Sequence, residues 1–300
     1  MKRFLLAYNP VSGNALFKSR LDSMVEAFQR RGLMLFFYRT QRDGNEDLPS
    51  VARDLGAEGI IAAGGDGTLH EVVNLVMKAR LGIPVGIIGS GTSNDFATYL
   101  QCPKGLASFR NEDMEAYFDR IAEGRTRRVD LGRVGEEYFV NVASAGMMTD
   151  IAHKVDARLK NSLGKMAYYI RGIGELPKFR AISIQLEADG ARQEFEAFLF
   201  VVINSAVVGS MRNVSAAARI DDGKLDFLAV QKCSPAQLVK LTADLIAGKP
   251  VTEQDAVLHV QASRFRIASA HALPSDLDGE VGPMLPLEIE TVPGAIDIYC

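Results

Sequence analysis

The strongest constraint on the fold is the alternation of two patterns through residues 1–128. Four short apolar runs are typical of strands buried on both faces: RFLLAY at 3–8, LMLFFY at 33–38, GIIAA at 59–63 and IPVGII at 83–88. Each run is followed by a segment with helical periodicity, and strands that alternate with helices form parallel sheets covered by helices. We therefore predict an N-terminal, three-layer α/β domain built on a parallel sheet.

The remainder of the chain, residues 129–300, follows a two-residue period instead. Segments such as AISIQLEA, EFEAFLFVVI and KLDFLAVQ predict strands, and Asp-Gly pairs at 189, 222 and 278 are typical of turns between strands. Helices are predicted at 151–174 and at 234–248, the second with Ser234 as its N-cap residue. This half is predicted to be an antiparallel, β-sandwich-like domain, whose last residues could pack back on the first domain.

Charge and cysteine content exclude several classes of protein. The sequence has 34 basic and 37 acidic residues, so a nucleic-acid binder that relies on overall positive charge is not expected. Cys102, Cys233 and Cys300 are widely spaced and lack the neighbours of a zinc site, which favours a reducing compartment. No apolar run approaches the ~18 residues of a transmembrane helix. We therefore expect a cytoplasmic protein without a membrane span.

The predicted strands of the first domain end in segments that could bind a ligand. These segments are NPVSGN at 9–14, RT at 39–40, GGDGT at 64–68 and GSGTSND at 89–95. In an open parallel sheet, ligands bind beyond the carboxyl ends of the strands, and these ends meet at one edge. The four segments are therefore the candidate ligand-binding edge of the domain.

The segment GGDGT combines three glycines with a carboxylate. Its glycines permit positive φ and let backbone N–H groups approach a ligand. Thr68 and Glu71 have the spacing of a capping box, which predicts a helix N-terminus behind the loop and hence an anion site. Asp66 would repel a bound phosphate unless a cation such as Mg²⁺ lay between them. The segment therefore suggests a Mg-nucleotide site; the alternative is a plain turn in which Asp-Gly supplies only geometry.

Two common phosphate-binding motifs do not occur at these strand ends. The sequence GxxxxGK[ST] of a Walker A loop is missing, and Asn94 stands where the dinucleotide fingerprint GxGxxG has its third glycine. The segment GSGTSN at 89–94 is therefore not a standard dinucleotide loop.

The order and spacing of NPVSG, GGDGTLHEVV and GSGTSNDFA resemble the diacylglycerol-kinase catalytic domain, in particular the bacterial soluble lipid kinases of the YegS/BmrU and diacylglycerol kinase types. The resemblance covers essentially the whole chain, through VDLGRV (129–134), FVNVASAG (139–146), LKNSLGKMAYYIRGI (159–173), ARIDDGKLD (218–226) and LDGE (277–280). GGDGT alone is shared with NAD kinases and resembles phosphofructokinase loops. NPxSG, GTxNDF and DGE together are more specific.

The resemblance implies an ATP site in the first domain. The residues implied to line it are Asn9, Pro10, Val11, Ser12, Gly13, Thr40, Gly64, Gly65, Asp66, Gly67, Thr68, Leu69, His70 and Thr92. His70 departs from the family pattern, which more often has asparagine there. The departure could alter a nucleotide contact but is not expected to change the reaction class.

The resemblance also implies catalytic residues and two Mg²⁺ ions. Asp66 and Asp95, with Asp130 behind them, would organise the catalytic Mg²⁺ through side chains and water, and Glu280 would accept the proton of the lipid hydroxyl. A second, structural Mg²⁺ would be held by the Asp222 side chain and the carbonyls of Arg219 and Lys224.

The residues themselves leave other interpretations open. The DGE segment at 278–280 is also typical of a hairpin tip with a solvated glutamate, and the DDG segment at 221–223 has the composition of a type I′ hairpin turn. Asp130 could equally form a salt bridge with Arg127 or Arg128.

A basic segment at 154–171 bears on the partner. Its basic residues, interleaved with aromatic and aliphatic ones, are Lys154, Arg158, Lys160, Lys165 and Arg171. This pattern is typical of an amphipathic element at an anionic membrane surface, and equally of a helix that packs its apolar stripe on the β domain.

We predict an ATP-dependent lipid kinase, with an ATP-binding domain at 1–128 and a lipid-substrate domain at 129–300. It would transfer the γ-phosphate of Mg-ATP to a hydroxyl of diacylglycerol or a related lipid alcohol, as a cytoplasmic, peripherally membrane-associated enzyme of lipid metabolism. The alternatives are a kinase for NAD or another small molecule, and a non-catalytic nucleotide- or lipid-binding regulator. The sequence does not identify the lipid, since acyl pockets use generic apolar residues. Free strand edges are compatible with a homodimer.

Overall fold

The structure is a computed structural model that describes residues 1–12, 21–42, 44–91, 93–103, 111–146 and 181–300. The chain divides into two compact units. Unit 1 comprises residues 1–129 and 294–300, and unit 2 comprises residues 130–293. The chain therefore passes from one unit to the other twice, and residues 294–300 belong to the unit in which the chain starts.

Unit 1 contains a parallel sheet, as the sequence predicts. Its strands are β1 (Lys2–Tyr8), β2 (Leu33–Arg39), β3 (Gly59–Gly64) and β4 (Val85–Gly89), paired in the order β4-β3-β1-β2. Its helices are α1 (Leu21–Arg30), α2 (Leu48–Leu55), α3 (Asp66–Lys78), α4 (Asp95–Tyr99) and α5 (Asn111–Glu123). Every residue of β3, which lies between two other strands, is buried, and this explains its uninterrupted apolar sequence.

Helix α3 begins earlier than its sequence pattern predicts. Its N-cap residue is Gly65, which makes no side-chain cap hydrogen bond, so Thr68 lies within the first turn of the helix. The predicted capping box of Thr68 and Glu71 is therefore wrong. The Glu71 carboxylate instead accepts a hydrogen bond of 2.6 Å from the Asn45 side chain.

The last strand of the chain completes the sheet of unit 1. Ile298, on a strand that spans Leu287–Tyr299, pairs in parallel with Val85 on β4. The buried Tyr117 hydroxyl accepts a hydrogen bond of 2.7 Å from the Ile87 N–H and lies 3.4 Å from the Tyr299 carbonyl. The tyrosine of α5 therefore holds β4 and the last strand together.

Unit 2 is antiparallel, as predicted. Its strands are β5 (Thr126–Val134), β6 (Glu137–Phe139), β7 (Val142–Gly146), β8 (Ile182–Ala188), β9 (Ala191–Ile203), β10 (Leu225–Gln231), β11 (Val257–Ala262), β12 (Arg264–Ser269), β13 (Pro274–Leu277), β14 (Glu280–Met284) and β15 (Leu287–Tyr299). β5 begins in unit 1 and β15 ends there. The strand order is β14-β13-β7-β9-β8-β12-β15, and β10 pairs with both β9 and β11. Helix α6 (Pro235–Ile246) follows Ser234, whose predicted N-cap role is confirmed by a capping box with Gln237.

Three strand predictions for unit 2 differ from the structure. EYFVNVAS forms two strands, because the backbone bends away between β6 and β7. LEIETV and AIDIY form the single strand β15. β13 and β14 were not predicted, since PSDL and EVGPM lack a clear two-residue period.

The predicted helix at 151–174 lies outside the described residues. Within the described ranges, no helix is both long enough and apolar enough to span a bilayer.

Candidate active site

The loops that follow β3 and β4 meet at their glycines. The two strands run parallel with Gly64 opposite Gly89, and the Ser90 N–H donates a hydrogen bond of 2.7 Å to the Gly64 carbonyl. A Cβ atom on Gly91 would lie only 2.6 Å from the Cα atom of Gly65. The sequence needs glycine here because the two backbones approach more closely than any side chain permits.

The Asp66 carboxylate joins these two loops. Its Oδ1 accepts a hydrogen bond of 2.8 Å from the Asp95 N–H, and its Oδ2 accepts one of 3.1 Å from the Asn94 N–H. Asp66, the first residue of α3 rather than a loop residue as predicted, therefore holds the start of α4, a structural contact that the GGDGT pattern does not reveal. The predicted residues Asp66 and Asp95 are brought together as neighbours.

Asn94 is a site residue that the sequence analysis did not select. Its φ of 49° is left-handed, a conformation that asparagine tolerates better than most residues. Its side chain accepts from the Gly91 N–H at 3.0 Å and donates to the Gly91 carbonyl at 2.7 Å. Asn94 thus closes the loop after β4 into the shape that presents two N–H groups to Asp66. In the sequence, Asn94 is marked by its position, where the pattern GxGxxG has its third glycine.

The oxygen atoms at this junction fit a magnesium ion bound to a nucleotide. Asp95 is 5% exposed, and the buried Ser93 hydroxyl oxygen has no hydrogen-bond partner in the part of the chain that the structure describes. Buried hydroxyl groups normally have partners, so an additional polar group is expected beside Ser93. Mg²⁺ prefers oxygen ligands and retains several waters. The carboxylates of Asp66 and Asp95 supply this chemistry.

The start of helix α3 has the features of an anion site. Its N-cap Gly65 has no side chain to accept the N–H groups of the first turn, and such helix ends attract phosphate. A Cβ atom on Gly64 would lie 2.2 Å from the Thr68 hydroxyl oxygen. In the same helix, the His70 carbonyl accepts a hydrogen bond of 3.0 Å from the Asn74 side chain.

The segment after β1 lies beside α3. The Asn9 side chain donates to the Thr68 hydroxyl at 3.4 Å, and the Asn9 side-chain oxygen accepts from the Val11 N–H at 3.1 Å. The Ser12 hydroxyl lies 2.9 Å from that of Ser90. Three of the four predicted strand-end segments, those after β1, β3 and β4, therefore contact one another.

Other predicted ATP-site residues are placed differently. The buried Thr40 binds the Tyr8 carbonyl through both its N–H, at 3.0 Å, and its hydroxyl, at 3.2 Å, and so fastens the end of β2 to β1. Leu69 is buried on α3, Gly67 lies in the first turn of that helix, and Pro10 lies in the loop after β1. Gly13, Thr92 and the basic segment 154–171 lie outside the described residues.

Glu280, in unit 2, is the first residue of β14 and is exposed to solvent. It follows a two-residue turn, since Leu277 pairs directly with Glu280 and both Asp278 and Gly279 have positive φ, of 54° and 98°. This is the geometry of a type I′ hairpin. The predicted hairpin tip is therefore present, and it presents the Glu280 side chain at the start of an edge strand.

Asp130, also in unit 2, is buried and bound to the DDG loop. Its Oδ2 accepts a hydrogen bond of 2.6 Å from the Gly223 N–H, and its N–H donates to the Ile220 carbonyl at 2.7 Å. The Asn204 side chain donates to the Asp130 carbonyl at 2.7 Å and to the Val140 carbonyl at 2.8 Å. Asn204 is 1% exposed, and no sequence pattern indicates this linking role.

The DDG segment is not a hairpin turn. Gly223 has a positive φ of 74° but Asp222 does not, whereas a type I′ turn needs both. The Asp222 side chain accepts the Lys224 N–H at 3.1 Å, and Lys224 leads into β10. Burial raises the pKa of Asp222, and the carboxylates of Asp226 and Asp130 raise it further.

A cation would relieve the repulsion among these carboxylates, so the predicted structural Mg²⁺ fits the charge of the loop. Among the described residues, no group of three or more His, Cys, Asp or Glu side chains could hold a metal by itself. A metal here would therefore need backbone carbonyls, such as those predicted at Arg219 and Lys224.

Comparison with known proteins decides the family. Residues 3–134 match the diacylglycerol kinase catalytic domain, and residues 141–300 match the YegS C-terminal NAD kinase beta sandwich-like domain. The chain belongs to the diacylglycerol kinase family. The diacylglycerol kinase of Bacillus subtilis (strain 168) is 32% identical over 291 residues, which cover 96% of this chain and 93% of that protein. The diacylglycerol kinase of Staphylococcus carnosus (strain TM300) is 31% identical over 299 residues, which cover 99% of this chain and 95% of that protein.

Solved structures of this family share the fold. A crystal structure of a putative diacylglycerol kinase from Bacillus anthracis str. Sterne superposes with a TM-score of 0.83, at 24% identity and over 99% of this chain and 94% of that one. A second structure of a putative diacylglycerol kinase from that strain has a TM-score of 0.80 and 25% identity, over 99% of this chain and 96% of that one. The resemblance found in the sequence is thereby confirmed for family and fold.

Proposed function

We propose that this member of the diacylglycerol kinase family is an ATP-dependent lipid kinase. It transfers the γ-phosphate of Mg-ATP to a hydroxyl group of diacylglycerol or a related lipid alcohol. The observation that carries the proposal is the junction of the segments after β3 and β4, where glycine backbones meet and the Asp66 carboxylate binds the N–H of the buried Asp95. Relatives named diacylglycerol kinase, matched over nearly the whole chain, support the substrate class.

Phosphoryl transfer depends mainly on positioning and on charge neutralisation. The N–H groups at the start of α3 bind phosphate oxygens, and Asn9 and Ser12 line the neighbouring loop. Asp66 and Asp95 would hold the Mg²⁺. When bound, that ion neutralises charge on the transferring phosphoryl group. Asp66 thus has two tasks, since it also fixes the backbone of the second loop.

Glu280 is proposed to accept the proton of the attacking hydroxyl. A carboxylate within ~3 Å of a hydroxyl group can take its proton as the new bond forms. The side chains after Glu280 on β14 favour a lipid acceptor over a polar one, because Val281 is 72% exposed and Met284 is 49% exposed. Successive side chains of a strand point to opposite faces, so β14 exposes Val281 on the face opposite Glu280; exposed apolar side chains on this strand suit an acyl chain better than a nicotinamide nucleotide.

The remaining parts of the proposal concern the second metal and the partner. Asp222, with the carbonyls of Arg219 and Lys224, is proposed to bind a structural Mg²⁺. Peripheral contact with a lipid surface through residues 154–171, and a homodimer, remain predictions from the sequence.

The decisive experiment is transfer of radiolabel from γ-labelled ATP, with Mg²⁺, to vesicles that contain diacylglycerol, phosphatidylglycerol or a sphingoid base, followed by chromatography of the products. We expect label in one lipid product and its loss when Mg²⁺ is chelated. Label in phosphorylated NAD and in no lipid would identify the small-molecule kinase. Binding of ATP and lipid without any transferred label would identify a regulator.

A further inference from the structure

Asp278 makes an unusual set of contacts for a turn residue. Its Oδ2 accepts a hydrogen bond of 2.7 Å from the Val140 N–H, and its Oδ1 accepts 2.9 Å hydrogen bonds from the N–H groups of Asn141 and Val142. Its own N–H donates to the Val142 carbonyl at 2.8 Å. Asp278 is 8% exposed. Three backbone donors therefore converge on a single buried carboxylate.

The hairpin itself does not require these contacts. An Asp-Gly pair forms a type I′ turn through its backbone conformation alone, without any contact of the aspartate side chain. The contacts instead tie the turn to residues 140–142, where β6 ends and β7 begins. In the described part of the chain, β14 pairs with β13 alone, and its far end is held by the Ser275 hydroxyl, which donates to the Pro283 carbonyl at 2.6 Å, so the turn holds the end that carries Glu280.

Residues 140–142 are themselves held firmly. The Asn141 side chain donates to the Val207 carbonyl at 2.8 Å, and the Asn204 N–H donates to the Asn141 carbonyl at 2.9 Å. The Asn204 side chain binds the carbonyls of both Val140 and Asp130. A continuous series of buried hydrogen bonds therefore runs within unit 2 from Asp130 to Asp278, two residues before Glu280.

The turn between β8 and β9 has the same construction. Asp189 and Gly190 have positive φ, of 45° and 87°, and the Asp189 carboxylate accepts N–H groups from Ser263 at 3.1 Å and Arg264 at 2.9 Å. The Asp189 N–H donates to the Arg264 carbonyl at 3.0 Å. The two turns differ in the residue after the glycine, which is Ala191 in one and Glu280 in the other, and in burial, since Asp189 is exposed and Asp278 is buried.

We propose that Asp278 is a positioning residue for Glu280. It fixes the start of β14 against residues 140–142 and thereby sets where the Glu280 carboxylate meets the acceptor hydroxyl. This inference rests on the proposed function, in which Glu280 takes the proton. Displacement of a reacting group by ~1 Å can cost about 100-fold in rate, so a loosened turn has a measurable effect.

The test compares Asp278→Asn with Asp189→Asn, the same change in the same kind of turn. In the lipid transfer assay, we expect Asp278→Asn to lower kcat by about 10- to 100-fold, with the KM for ATP unchanged. Asp189→Asn keeps kcat within about twofold, since Ala191 has no role in proton transfer. Circular dichroism and thermal melting establish that both variants are folded.

A double-mutant cycle separates positioning from a purely structural role. In protein that already carries Glu280→Gln, Asp278→Asn should lower the residual rate by less than about twofold, because the group that it positions is gone. If Asp278 has a purely structural role, Asp278→Asn lowers the rate by the same factor in wild-type protein and in Glu280→Gln protein. That result overturns the inference. If Asp278→Asn does not fold, Asp278→Ser replaces it in the same cycle, since a hydroxyl oxygen can still accept one of the N–H groups of residues 140–142 and the side chain carries no NH₂ group to oppose the others.

The two proposals fail in different ways. A wild-type protein that transfers no phosphate to any lipid refutes the proposed function, and this inference with it. If wild type is active and Glu280→Gln is inactive, wild-type kcat in Asp278→Asn refutes the positioning role alone.

Discussion

Replacing Asp66 with asparagine distinguishes the two tasks of its carboxylate. Asparagine keeps one oxygen, which can still accept the Asp95 N–H now bound at 2.8 Å, but it turns an NH₂ group toward the Asn94 N–H now bound at 3.1 Å. Hydrogen bonds to charged groups contribute about 1.5–3 kcal/mol, and one unmatched donor costs about 1–3 kcal/mol. We expect the free energy of unfolding to fall by about 1–3 kcal/mol, because one of two contacts survives.

A loss of that size leaves the protein folded, since single domains are stable by about 5–15 kcal/mol. The effect on phosphoryl transfer should be larger. Removal of one fixed electrostatic contact to a transition state typically costs about 10²–10³ in rate, so we expect kcat/KM to fall at least ~100-fold.

The assay pairs initial rates of label transfer with urea unfolding of the same preparation. The control is Asp119→Asn, which removes an equally charged but exposed carboxylate in unit 1, 2.7 Å from Arg31. Arg31 keeps its contact with Glu115 at 2.7 Å in this control, so we expect a loss of about 1 kcal/mol and an unchanged rate. An Asp66→Asn protein that is folded and keeps a tenth or more of wild-type activity would refute the metal assignment. If activity is lost only because the protein unfolds, the hydrogen bonds of Asp66 to Asn94 and Asp95 explain the loss, and no role in metal binding follows.

Three further predictions concern unit 1 and the control turn. Tyr117→Phe leaves the buried Ile87 N–H without its acceptor and should lower the free energy of unfolding by about 1–3 kcal/mol in urea titrations; an unchanged midpoint would contradict this. Iodoacetamide should not label Cys102 in the native protein near neutral pH, because burial raises its pKa to about 12, and mass spectrometry after native labelling tests this. Desolvation tends to raise the pKa of Asp189, but hydrogen bonds from Ser263 and Arg264 outweigh it and hold the pKa below its usual value. The stability lost in Asp189→Asn should therefore be greatest at neutral pH and shrink in melting experiments as pH falls below about 4.

The parts of the fold that arise from local pattern were predictable. β1 and β3 have uninterrupted apolar sequences because neighbours cover them on both faces. β13 and β14 were missed because their pairing with β7 and with each other, rather than an alternating pattern, makes them strands. The start of α3 was misplaced since Gly65, which offers no side chain, is the N-cap residue.

The candidate site was only partly predictable, for a different reason. Asp66 and Glu280 could be selected because each lies in a recognisable short motif. The contacts that place them come from distant parts of the chain: Asp66 binds residues 28 and 29 positions away, and the donors to Asp278 are 136–138 positions away. No local pattern encodes such pairs, so Asn204 could be recognised only once the chain was folded, and Asn94 was marked in the sequence only by its place in the broken GxGxxG pattern.

The path of β15 has a consequence for biosynthesis. Residues 294–300 complete the sheet of unit 1, yet a ribosome makes them only after the whole of unit 2. Domains generally fold as units during synthesis, starting from the N-terminal one. In the nascent N-terminal unit, the edge of β4 that later pairs with β15 therefore lacks this partner until the second unit has been synthesised. A chain truncated after residue 293 would keep both sets of proposed site residues but lack the strand beside β4.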